Sequence, residues 1–75
     1  MKIVFSRHAK RRAKLYNIEE STISGILMRK HLSQGEQVIV QDTRGMQYPL
    51  KIVVSVENDT ATVITSYPLK KGKRK

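Results

Sequence analysis

Residues 50–67 read LKIVVSVENDTATVITSY, and this stretch decides the fold. Leu50, Ile52, Val54 and Val56 alternate with Lys51, Val53 and Ser55, so successive side chains serve opposite faces of a strand. Asn58-Asp59 supplies turn residues where a tight hairpin has to reverse. Ala61, Val63, Thr65 and Tyr67 then alternate with Thr62, Ile64 and Ser66, and Pro68 ends the run. The stretch predicts an antiparallel hairpin.

Working outward, the period of two begins at Glu36. Gln37–Gln41 forms another strand, and Asp42-Thr-Arg-Gly45 carries turn residues before the hairpin. Upstream of Glu36 the period is helical. Glu19 to about Lys30 predicts a helix with Ile23, Ile26, Leu27 and Lys30 at i, i+3, i+4, i+7. Its acidic start and its basic end at Arg29, Lys30 and His31 both suit the helix dipole. Gly25 reads as a close-packing point.

Before Asn17 and Ile18 lies a first helix, capped by Ser6 and running through about Tyr16. Ala9, Ala13 and Tyr16 share its inner face, while Arg7, Lys10, Arg11 and Lys14 fall on the opposite one. His8, Arg12 and Leu15 line one boundary of the apolar stripe. Lys2–Ser6 opens the chain as a short strand. The expected architecture is α+β: a strand, a two-helix hairpin, then a three-stranded antiparallel meander, with both helices on one sheet face. Its core draws on Ile3, Phe5, Ile23, Leu27, Val38, Val40, Val54 and Val63. A sheet free of parallel strands and solvent-exposed Lys10 and Lys14 are the tests of this assignment. Residues 1–68 form one domain, and 69–75 a basic, mobile tail.

Charge is segregated. Of fifteen Lys and Arg, Lys2, Arg7, Lys10, Arg11, Arg12 and Lys14 lie at one end, and Lys70, Lys71, Lys73, Arg74 and Lys75 at the other. No acid precedes Glu19 or follows Asp59, and the net charge is +9. Such a field selects polyanions, because Lys and Arg that neutralise phosphates release condensed counterions. Nucleic acid, an acidic protein and an anionic membrane surface all fit the composition. With no cysteine and only His8 and His31, disulfides, thiol nucleophiles and zinc-finger sites are excluded and no metal or cofactor is expected. No apolar run approaches the ~20 residues of a membrane span. A reduced, cytoplasmic location is the expectation.

His8-Ala9-x-x-Arg12, Ile18-Glu19-Glu20 and the closing Val63-Ile-Thr-Ser-Tyr67 together resemble a known family over nearly the whole chain. It is the small HAxxR domain-of-unknown-function family related to RelE, ParE and BrnT-type toxins. The resemblance implies a RelE/ParE toxin-like fold and RNA cleavage or ribosome association. An acidic antitoxin protein is the implied partner, and the implied activity is a metal-independent endoribonuclease.

The catalytic residues it carries over are His8, Arg12 and Tyr67. Attack by a 2′-hydroxyl needs a base, a cation for the phosphorane and an acid for the leaving oxygen. His8 can move protons because imidazole changes charge near neutral pH. Arg12 can clamp a phosphate oxygen with its planar fork, and Tyr67 can stack a base or donate a hydrogen bond. Each also has a structural role open to it: His8 capping or packing, Arg12 pairing with Glu19, Glu20 or a carbonyl, and Tyr67 standing at the core edge. Arg7, Lys10, Arg11, Lys14, Lys70, Lys71, Lys73 and Arg74 are the expected nucleic-acid-binding residues. The alternative function is a non-catalytic nucleic-acid- or protein-binding module.

Overall fold

Ser6 separates the first strand from the first helix and holds them together. In the computed structural model, which describes residues 1–42 and 48–69, β1 spans Lys2–Phe5 and α1 spans Arg7–Leu15. The Ala9 N–H donates to Ser6 Oγ at 3.0 Å, as an N-cap requires. The same hydroxyl donates to the Ile64 carbonyl at 2.9 Å, tying the helix start to a distant strand. At the other end Asn17 takes a left-handed φ of 59°. The Asn17 N–H donates to Lys14 O at 3.2 Å and the Ile18 N–H to Ala13 O at 2.7 Å. This is a Schellman motif with asparagine in the glycine position, and it buries Ile18 beside Ala13.

The second helix, α2, spans Glu20–Met28, and β2, β3 and β4 span Gly35–Gln41, Leu50–Glu57 and Thr60–Pro68. β2 pairs antiparallel with β3, and β3 with β4 through the two-residue turn Asn58-Asp59. The fold is therefore α+β, with two helices and a four-stranded mixed sheet in the order β1-β4-β3-β2. The mixed character corrects one expectation. β1 lies parallel to β4, with Phe5 opposite Val63, so the sheet is not free of parallel strands. The reason is the connection. Two helices carry the chain from β1 to the far edge, and such a crossover joins strands running the same way.

The register explains a second correction. Ile39 stands opposite Ile52 and Gln37 opposite Val54. Ile52 and Val54 are fully buried beneath the helices, so the odd-numbered β2 residues share their face. Val38 and Val40 point away and are 53% and 50% exposed, outside the core. The core instead centres on Ala9, Ala13, Ile23, Ile26 and Leu27 of the helices with Leu50, Ile52, Val54, Val56, Ala61 and Val63 of the sheet. Ile3, Phe5, Tyr16 and Ile39 pack half-buried against it. Leu15, expected at the stripe boundary, is 68% exposed, and Lys30 lies beyond the end of α2 and is exposed. Gly25 is no close-packing point, since a Cβ added there meets nothing within 4 Å.

A third correction follows from one extra residue. Val54 pairs with Val63 but Val53 with Thr65, so Ile64 is a β-bulge. Alternation breaks there. Ser66 turns inward, opposite Ile52, and Tyr67 turns outward with its partner Lys51. The Ser66 hydroxyl is fully buried and has no hydrogen-bond partner among the described residues. No described helix is long and apolar enough to cross a membrane.

Candidate nucleic-acid interface

α1 packs on β4 and touches β1 through its inner face. Ala9 and Ala13 are the buried contacts, and their small size sets the helix close to the sheet. Rotation by 100° per residue then fixes what faces water. Arg7, Lys10, Arg11 and Lys14 are all exposed, at spacings i, i+3, i+4 and i+7 along about 10 Å of helix.

None of the four has a carboxylate partner. Among the described residues the one ion pair joins the Met1 amino group to Asp59 at 3.8 Å. A cleft of about 390 Å³ between the end of α1 and the start of α2 is lined by Lys10 and Lys14 together with Glu19 and Glu20. Yet no pair forms across it, so the cationic face stays uncommitted. Four exposed cations on one helix face, none in an ion pair among the described residues, concentrate positive potential along that side of the domain. The expected residues Lys70, Lys71, Lys73 and Arg74 lie outside the described residues.

The three carried-over catalytic residues are not brought together. His8 is exposed on the first turn of α1 and makes no hydrogen bond or ion pair among the described residues. Arg12, one turn on, is half-buried; its Nη1 donates to Tyr16 Oη at 3.5 Å, the outer limit of a hydrogen bond. It pairs with neither Glu19 nor Glu20. Tyr67 sits on the sheet face opposite the helices, where Lys51 Nζ lies 5.6 Å from its ring centroid. No hydrogen bond, ion pair or ring contact links Tyr67 to His8 or Arg12. Among the described residues no cluster of three His, Cys, Asp or Glu is placed to hold a metal.

The Lys51–Tyr67 contact is not legible in the sequence, because the strand position of Lys51 looks like ordinary alternation. Only the bulge at Ile64 gives it the tyrosine as a neighbour, and Val63-Ile64-Thr65 carries no glycine or proline to announce one. Comparison with family models, with curated proteins and with solved structures finds no match to this chain.

Proposed function

We propose that this protein binds RNA, free or ribosomal, through the outer face of α1 as a module of RelE/ParE toxin-like fold. The observation that carries the reading is the row Arg7, Lys10, Arg11 and Lys14, exposed and, among the described residues, without a carboxylate within ion-pair distance. The resemblance of His8-Ala9-x-x-Arg12 and Val63–Tyr67 to the toxin-related family supports RNA as the polyanion. Among the alternatives composition leaves open, a short acidic antitoxin-type segment would compete for the same face. The absence of cysteine supports a cytoplasmic setting.

Fluorescence anisotropy with a labelled single-stranded RNA tests this. Four phosphate contacts give a log–log salt slope of roughly −3. Neutralising Lys10 and Lys14 to Gln should flatten that slope by about 1.5 and weaken all sequences alike. Affinity indifferent to salt would remove RNA as the partner.

A second reading, endoribonuclease activity, is favoured by one observation. His8 is exposed and uncommitted one turn from Arg12, beside the cationic row. The same mixtures on denaturing gels decide it. Cleavage that falls by about 10²-fold in a folded His8→Ala variant, with binding retained, establishes it. Intact RNA leaves the binding module.

A further inference from the structure

Among the described residues the sheet ends in two edge strands of unlike character, β1 and β2. β1 has four residues, begins at Lys2, and its adjoining amino terminus is paired to Asp59. These are the means by which edges are kept from pairing: shortness and a lysine. β2 has seven residues, Gly35–Gln41, and joins β3 without a bulge. It contains no Lys, Arg or Pro. Beside its edge stand Val38 and Val40, each about half exposed on the open face.

We propose that β2 pairs antiparallel with β2 of a second copy, joining the two sheets into one. Electrostatics favours this edge over that of β1. Two chains of charge +9 repel, and the described cationic row lies on α1, which packs on β4 and β1. In the joined sheet the two β4 strands stand five strand spacings apart, about 24 Å. That exceeds the Debye length of about 10 Å at 0.1 M salt.

Local charge does not oppose it. Glu36 is the one charged residue of β2 and lies on the open face with Val38 and Val40. With Val38 opposite the partner's Val38, Glu36 falls opposite the partner's Val40 and away from the partner's Asp42. The dyad of such a pair is perpendicular to the sheet and places both helical layers on one side. Two cationic α1 faces then point the same way, a bivalent surface for a polyanion. The pairing itself does not rest on RNA binding.

Sedimentation and light scattering on the full chain without RNA test the proposal. The 8.6 kDa chain should weigh twice its mass, in an equilibrium that strengthens with salt as repulsion is screened. RNA binding has the opposite salt dependence, so either can fail without the other. Val38→Lys sets like charges opposite each other across the dyad and should weaken the dimer about tenfold or more. Val38 points to solvent, so circular dichroism should show the fold retained.

The chain has no cysteine, which permits a second measurement. Val38→Cys should cross-link between copies under mild oxidation at least about tenfold faster than Leu15→Cys, an exposed control on α1. A monomer at every salt concentration would overturn the proposal. So would a Val38→Lys variant as dimeric as the parent, or equal cross-linking at the two cysteines.

Discussion

α1 and α2 are both nine residues long and cover the same face of the sheet, but they are held by different forces. α1 buries only Ala9 and Ala13, side chains too small to contribute much by transfer from water. Its position depends on its ends: the Ser6 cap, the Ser6–Ile64 hydrogen bond and the Asn17 Schellman turn. α2 has no side-chain cap at Glu19 and buries Ile23, Ile26 and Leu27. One helix is fastened at its termini and the other is anchored by its middle. The difference suits their outer faces. Fastening α1 at both ends fixes the array of Arg7, Lys10, Arg11 and Lys14, whereas α2 presents no comparable row.

The largest effect expected from this contrast lies in α2. Leu27→Ala should cost about 2–5 kcal/mol in urea denaturation, transfer and cavity terms together. A domain of this size has little more than that to lose. In α1 the corresponding weakness is Ser6. Ser6→Ala removes a cap and a bond to β4, and a loss of about 1–2 kcal/mol is expected. Glu19→Ala, at the same position of α2, should stay within about 0.5 kcal/mol because its side chain caps nothing. Equal losses at Ser6 and Glu19 would break the comparison.

The helices and strands were legible because each rests on local signals: the Ser6 cap, the alanine spacing, the alternation of Leu50 to Val56. What escaped is what depends on neighbours across the sheet. The valines of β2 alternate as well for one face as for the other, and only pairing of Ile39 with Ile52 decides which is core. The bulge at Ile64 has no residue signature, yet it moves Tyr67 to the far side and buries the Ser66 hydroxyl. The candidate site divides along the same line. The exposure of Arg7, Lys10, Arg11 and Lys14 needs only helical geometry and follows from the sequence. Grouping His8 and Arg12 with Tyr67 needed the sheet register, and there the sequence carried no warning.

The smallest effect bears on the space beside α2. Gly25 lies mid-helix with no positive φ, and a Cβ there meets no atom within 4 Å. Glycine in such a position costs entropy that alanine does not, because its unfolded backbone has more freedom to lose. Gly25→Ala should therefore raise stability by about 0.5–1 kcal/mol, read as a higher denaturation midpoint at unchanged m-value. Gly35 is the control. Its φ of +98° suits glycine alone, so Gly35→Ala should destabilise by about 1 kcal/mol or more although it too has open space. The pair separates backbone conformation from room for a side chain. If Gly25→Ala instead loses stability, α2 closes onto β2 in solution. The anchoring of α2 would then depend on close backbone approach as well as on Ile23, Ile26 and Leu27, and the two helices would differ less than their buried side chains imply.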